Sequence, residues 1–408
     1  MKRLSVAFKP TKSTIENVGT IVQVDRKTYF EYDKSFLEKQ INISPFKLKL
    51  TNELQEKTDN YPSELFGVFD DSLPDGWGML LMDRYFRKQN KDLRAISGID
   101  RLAFVADNAM GGLVYYPAED SLQHFNEQID LLKLAENSME VLQGKTNDIL
   151  PVMAQAGGSP GGARPKIKVG YDGKNLISDS ENLSNDYERW LIKFNSENDF
   201  KDAGKIEYVY YQMAKNAGLN ISKSKLFFDN KENAYFGTKR FDRNKDERIH
   251  MQTLSNLIHA NYRIPSLDYD ILIKVCSRLC HNQQDVIEAF RLMLFNLFAH
   301  NRDDHGKNFS FMMNRVGEWN FSPVYDLTFS YGPSNEHSTT IAGEGKQPLL
   351  KDINKIAKIA GISDKEQNII IDEVKTSISS WSSLANDAGV AKREINLIQK
   401  YFNTVNKI

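Results

Sequence analysis

Apolar and polar positions change rhythm twice along the chain. Leu4-Ser5-Val6-Ala7-Phe8 alternates, and Thr20-Ile21-Val22-Gln23-Val24 is separated from Thr28-Tyr29-Phe30-Glu31-Tyr32 by the polar turn Asp25-Arg26-Lys27. Alternation with a period of two predicts strands, so residues 3–33 read as β structure. Residues 62–69 read as irregular. Asp70-Asp71-Ser72-Leu73-Pro74-Asp75-Gly76-Trp77-Gly78 then leads into a helical pattern through Met79, Leu80, Met82 and Tyr85. Asp71 or Ser72 is its expected cap, with Pro74 at an early helical position and Trp77 as a core anchor. A turn at 107–112 feeds the short strand Leu113-Val114-Tyr115-Tyr116, which Pro117 stops, and a polar helical segment at 121–143 reads as a linker.

Strand patterns resume at Ile167-Lys168-Val169, at 187–194, at Leu226-Phe227-Phe228 and at 235–241, with a helical stretch opened by Glu207 among them. Beyond Arg243 the rhythm turns helical, with apolar positions at Val286, Phe290, Leu294 and Leu297, and residues 364–408 read as two or three amphipathic helices. Strands followed by helices predict an α+β, two-lobed architecture. The expected division is an amino-terminal β-rich module at 1–118, a β-rich lobe at 119–240 and a helical lobe at 241–408.

Composition narrows the function classes. A chain of 408 residues is long enough for two or three domains. Its formal net charge of −1 offers no global basic field to nucleic acid. Cys276 and Cys280 lie four residues apart, on one helical face, and are expected to pack as buried apolar thiols. Only His281 stands beside them, so zinc is not expected. Nothing implies a disulfide framework, a signal peptide or a membrane span, and the expected compartment is the reducing cytoplasm.

The densest chemistry lies at 299–330. Within Ala-His-Asn-Arg-Asp-Asp-His-Gly-Lys-Asn-Phe, Asp303 and Asn308 sit five residues apart, and Asp326 follows after an expected hairpin. Phosphoryl transfer on a kinase scaffold needs a carboxylate to orient an acceptor hydroxyl, and an Asn and a second Asp to hold Mg²⁺ against nucleotide phosphates. The order and spacing here match that need, without the usual H-R-D or D-F-G letters. Lys193, alone among apolar strand residues, is a candidate to meet phosphates, with Glu207 as its helix carboxylate. In Gly157-Gly158-Ser159-Pro160-Gly161-Gly162-Ala163-Arg164-Pro165-Lys166, small residues would let backbone N–H groups approach phosphates, and Lys166 adds charge. A flexible β-turn is the alternative, and the pattern is not a P-loop.

The amino-terminal β module and six stretches taken in order carry a resemblance. The stretches are Leu73-Pro74-Asp75-Gly76-Trp77-Gly78, Met110-Gly111-Gly112-Leu113, the Gly-rich stretch, Trp190-Leu191-Ile192-Lys193-Phe194, Lys239-Arg240-Phe241-Asp242-Arg243 and the 299–330 cluster. Together the chain resembles, over nearly its whole length, the HipA family of bacterial serine/threonine kinases, the toxin half of type II toxin–antitoxin pairs. The resemblance implies a protein-kinase-like fold, distantly similar to phosphoinositide kinases, with an added amino-terminal module. It implies Asp303 as catalytic base, Asn308 and Asp326 as Mg²⁺ ligands and Lys193 as the ATP-binding lysine. Ser159, Gly161, Gly162, Ala163 and Lys166 would cradle ATP, while backbone groups at Lys239 and Phe241 would face adenine. Asp304 and His305 would order the loop, and Lys307 could contact a phosphate. Ser159 matches the serine that family members autophosphorylate. The family also implies a HipB-like helix-turn-helix antitoxin, DNA reached only through that partner, and a protein acceptor such as an aminoacyl-tRNA synthetase. Two other readings stand beside it: a small-alcohol kinase on the same fold, and a non-catalytic corepressor.

Overall fold

The computed structural model describes residues 1–59, 61–118, 128–146, 153, 162–180, 183–197, 199–264 and 266–405. Strands β1 (Lys2–Phe8), β2 (Glu16–Val24), β3 (Lys27–Tyr32), β4 (Gln55–Glu56) and β5 (Leu113–Tyr116) form one antiparallel sheet in the order β4-β3-β2-β1-β5. Its buried face carries Leu4, Val6, Phe8, Ile21 and Phe30, as the alternation predicts. Between β4 and β5 lie a short helix at Gly67–Asp70, then α1 (Gly76–Lys88) and α2 (Gly98–Val105). The cap of α1 is Asp75, which accepts the Gly76 N–H, and not Asp71 or Ser72. Asp71 instead closes the preceding short helix, and its carboxylate accepts the Thr253 N–H and hydroxyl and the Asn256 amide. Pro74 therefore precedes the helix.

A second five-stranded sheet has the order β7-β6-β8-β10-β9. Its strands are β6 (Lys166–Tyr171), β7 (Leu176–Ser178), β8 (Glu188–Lys193), β9 (Ser224–Phe228) and β10 (Ala234–Lys239). One face packs Ile167, Val169, Trp190 and Ile192 against Leu131, Leu134 and Val141 of α3 (Leu131–Leu142), and against Trp77 and Leu81 of α1. The amino-terminal module thus contributes a helix to the core of the second lobe. Helix α4 (Ala203–Asn216) lies between β8 and β9 and packs on β10 and β9. Glu207 sits one turn into α4, later than the sequence pattern places it.

The remaining lobe is mainly helical, with α5 (Tyr269–Cys280), α6 (Gln283–Phe298) and helices at Leu350–Ile359, Asp364–Ser379, Trp381–Asp387 and Lys392–Val405. Its core is continuous with that of the amino-terminal sheet, running from Val6 and Phe30 through Leu257 and Phe290 to Phe298 and Trp381. A small sheet of His250–Thr253, Ser310–Met313 and Trp319–Phe321 lies between these parts. Its last two strands are the hairpin expected ahead of Asp326. Its first strand, His-Met-Gln-Thr, has no apolar alternation for sequence reading to detect. Cys276 is buried in α5 and Cys280 partly so. Among the described residues no helix is long and apolar enough to cross a membrane. The chain adopts the expected α+β, two-lobed fold, with a sheet module at its amino terminus and helices toward its carboxy terminus.

Candidate active site

The register of β6 against β8 pairs Lys166 directly with Lys193. Residues two apart on a strand share a face, so both lysines turn away from the Trp190–Ile192 side and toward the helical lobe. Both line a cleft between the lobes, which His305, Lys307, Asn308 and Asp326 also line.

Lys193 is 5% exposed and joins three elements. Its ammonium donates to Glu207 Oε1 of α4 at 2.5 Å and also to Asp326 Oδ1. Glu207, 1% exposed, is held on its other oxygen by Arg164 Nη1 at 2.8 Å. Arg164 Nε in turn pairs with Asp199 at 3.0 Å. Burial would raise the Asp326 carboxyl, yet Lys193, Lys166 and Arg164 hold it well below the usual carboxylate range. Burial pulls Lys166 down to about 8. Asp326 has φ +56°, a left-handed conformation that Asp tolerates better than most residues, and this turns its carboxylate back toward the sheet. The sequence pointed to Lys193 with Glu207 as its helix carboxylate, and to Asp326 separately. Arg164 was visible only as one more residue of the Gly-rich stretch.

The 303–308 loop follows α6. Asp303 stands beside the cleft-lining His305, its side chain 58% exposed and Oδ1 lying 3.8 Å from His305 Nε2. The Asn308 amide donates to the Asp303 carbonyl at 2.7 Å, and the Asn308 N–H donates to the His305 carbonyl at 2.8 Å. With its NH₂ committed, Asn308 has its oxygen fixed in orientation. Asp304 turns the other way and is fully buried, accepting from Tyr269 Oη, His337 Nδ1 and the Ser338 N–H, each at 2.8 Å. It ties the loop to α5 and to the chain beyond the hairpin. Tyr269 and His337 carry no sequence signal for this task, because they meet Asp304 only in the folded chain. His305 meets the Tyr262 ring, centroids 5.4 Å apart.

Lys307 lies 3.6 Å from Asp75 and 3.9 Å from Asp70, and 4.8 Å from the Tyr262 ring centre. Burial lowers its pKa, but Asp70, Asp75 and Asp71 more than offset this and raise it above the ordinary value. Its charge is therefore shared with the amino-terminal module, although Lys307 also lines the cleft. Asp71, in the same wall, is pushed up to about 7 by burial. At the other end of the cleft, the Lys239 N–H donates to the Lys223 carbonyl and its side chain pairs with Glu188 at 2.7 Å. A contact from this residue to a ligand would therefore use its carbonyl. Phe241 packs tilted against Tyr325, ring centroids 5.6 Å apart. Gly162 lines the cleft, and its carbonyl accepts the Trp77 N–H at 3.2 Å. A Cβ on Gly76 would stand 2.6 Å from that same carbonyl, so only glycine lets α1 start this close to the loop. Ala163 is exposed just beyond. Ser159 and Gly161 lie outside the described residues.

The donors suit Mg²⁺. One carboxylate and one amide oxygen are hard ligands, and this ion is commonly held by one or two protein carboxylates together with substrate phosphates. No cluster of three His, Cys, Asp or Glu capable of holding a metal exists among the described residues, so an all-protein cage is not what this site offers.

A family model of the HipA-like C-terminal domain matches residues 158–382, and one of the HipA N-terminal domain matches residues 13–116. No curated protein sequence gives a significant match. Among solved structures, HipA of the Shewanella oneidensis MR-1 toxin–antitoxin system, determined with HipB and operator DNA, aligns with a TM-score of 0.71 at 15% identity. That alignment covers 98% of this chain and 95% of that chain. The Helicobacter pylori proinflammatory kinase CtkA aligns at a TM-score of 0.32 and 13% identity, over 47% of this chain and 87% of that one. With both domains matched in order, and the C-terminal one over more than half of its length, the chain belongs to the HipA family.

Proposed function

We propose that this protein is an ATP- and Mg²⁺-dependent serine/threonine protein kinase, acting as the toxin of a toxin–antitoxin pair. The observation that carries the reading is the buried Lys193, held between Glu207 of α4 and Asp326 across the cleft from the 303–308 loop. A lysine held in this way presents its charge to nucleotide phosphates without having to reorganise. Asn308 and Asp326 would hold Mg²⁺, which when bound neutralises charge on the transferring phosphoryl group. Asp303, exposed beside the cleft-lining His305, would orient the acceptor hydroxyl, a task usually worth about 10²–10⁴-fold.

Family membership supports a protein acceptor, such as an aminoacyl-tRNA synthetase, and growth arrest as the outcome. It also supports autophosphorylation at Ser159, which would add about 1.5–2 negative charges to the loop that leads to Lys166. The HipB and operator DNA in the Shewanella complex support a HipB-like antitoxin partner here. A net charge of −1 suits DNA contact made through that partner.

The test is incubation of the purified chain with Mg²⁺ and labelled ATP, alone and with cell lysate, followed by mass-spectrometric mapping beside Asp303→Asn. Phosphoserine or phosphothreonine, on Ser159 or on a lysate protein, should form only with the intact Asp303. ATP binding without any phosphoprotein, together with a phosphorylated small alcohol, would overturn the reading.

A further inference from the structure

The loop of residues 107–112 belongs to the amino-terminal module, yet the segment joining the two lobes grips it. The Gly111 N–H donates to Asp242 Oδ2 at 2.9 Å. Arg243 donates to the carbonyls of Gly111 at 2.9 Å and Ala109 at 2.8 Å. Lys168, from β6, donates to the Asn108 carbonyl at 2.9 Å. Asp242 is itself fixed by Arg240 at 3.0 and 2.9 Å. These charged groups are buried, and hydrogen bonds to charged groups are the stronger kind.

The two glycines make the grip possible. Gly111 has φ +74°, and a Cβ there would lie 3.1 Å from the Met251 backbone nitrogen. A Cβ on Gly112 would stand 2.4 Å from the Phe8 ring. A loop seated this tightly fixes the residue before it. That residue is Met110, which lines the same cleft as Lys193, Asp326 and Phe241.

The two ends of the cleft differ in chemistry. Lys166 and Lys193 make one end suited to phosphates. At the other end Phe241 and Tyr325 form an aromatic wall, and Phe241 is the chain neighbour of Asp242, to which the Met110 loop is tied. A flat, apolar, polarisable ring fits between an aromatic wall and an unbranched thioether.

We propose that Met110 is a nucleotide-binding residue supplied by the amino-terminal module, packing its thioether on the purine base of a nucleoside triphosphate. Asp242 and Arg243 are its positioning residues. The proposal rests on the nucleotide reading of this cleft and adds a contact from outside the two lobes.

The probe is Mg²⁺ with a fluorescent N-methylanthraniloyl ATP, titrated into the full chain. Met110→Ala should weaken binding about tenfold, and Met110→Leu, which restores apolar area, by no more than about threefold. Binding of Met110→Ala within about twofold of wild type would overturn the proposal. A second measurement leaves Met110 in place: ¹³C-methyl-methionine spectra of wild type, with the resonance assigned by its loss in Met110→Leu. The Met110 methyl should shift on adding Mg²⁺ and ATP, and an unmoved Met110 signal at saturation would overturn the proposal. Failure of wild type to bind the probe is a different result, and would remove the nucleotide reading itself.

Discussion

Single residues divide into those that touch the expected chemistry and those that hold them. Lys193→Met removes the cation from between Glu207 and Asp326, and phosphate transfer should slow by at least about 100-fold in a labelled-ATP assay. Arg164→Met leaves that cation but frees one oxygen of Glu207. Its expected loss is smaller, about tenfold, as a positioning effect on Lys193. Asp304 belongs to the second group. Asp304→Ala strands the buried Tyr269 hydroxyl and His337 ring, and should lower stability by about 3 kcal/mol in denaturant titration. Lys193, Glu207, Asp303, Asn308 and Asp326 were legible in the sequence because their residue types and order are what phosphate chemistry demands. Arg164, Tyr269 and His337 were not, because their partners are far away in the chain. Lys307 adds what the sequence did not show: its place in the loop suggested a phosphate contact, and the folded chain also sets it near Asp70 and Asp75 of another module.

Among elements, the strand His250–Thr253 is the least legible and the most connecting. It pairs with the strand Ser310–Met313 of the hairpin, and the His250 ring lies 6.5 Å from Phe8 of β1 and 5.5 Å from Trp319. Polar letters with no alternation hid it, since its burial comes from neighbours on both sides rather than from its own pattern. Burial lowers the His250 pKa to about 4, although its bond to the Ile43 carbonyl opposes the shift. The unfolded chain then binds more protons than the folded one between that value and about 6.5. Stability should fall as pH drops through this window and level off below it, by up to about 3 kcal/mol from this residue. Thermal melts of wild type beside His250→Phe test it, the variant showing the shallower slope; His300, also lowered to about 4 by burial, keeps its own share of the slope in both proteins. The start of α1 is a milder case. Four acidic or hydroxyl residues, Asp70, Asp71, Ser72 and Asp75, precede it, and only the folded chain shows that Asp71 is engaged elsewhere and that Asp75 is the cap.

For the whole molecule, strands followed by helices announced two lobes, while the sequence pattern gave no sign that the amino-terminal module is built into both. Its sheet shares a core with the helical lobe, and Trp77 of α1 is buried in the core of the other. Trp77→Ala should therefore cost about 3–5 kcal/mol and loosen the cleft-forming sheet, read as faster amide exchange in β6 and β8 than in α6. The pairing of Lys166 with Lys193 across β6 and β8 has a consequence for the energetics of the whole chain. Like charges at directly opposed positions work against a sheet; Glu207 and Asp326 offset part of that repulsion in the bare protein, and a polyanion would offset more. By linkage, such a ligand is a folding agent as well as a substrate. Tripolyphosphate alone should raise the melting temperature. The protein would then be most resistant to heat and proteolysis when its cleft is loaded, and its lifetime would follow the supply of its ligand.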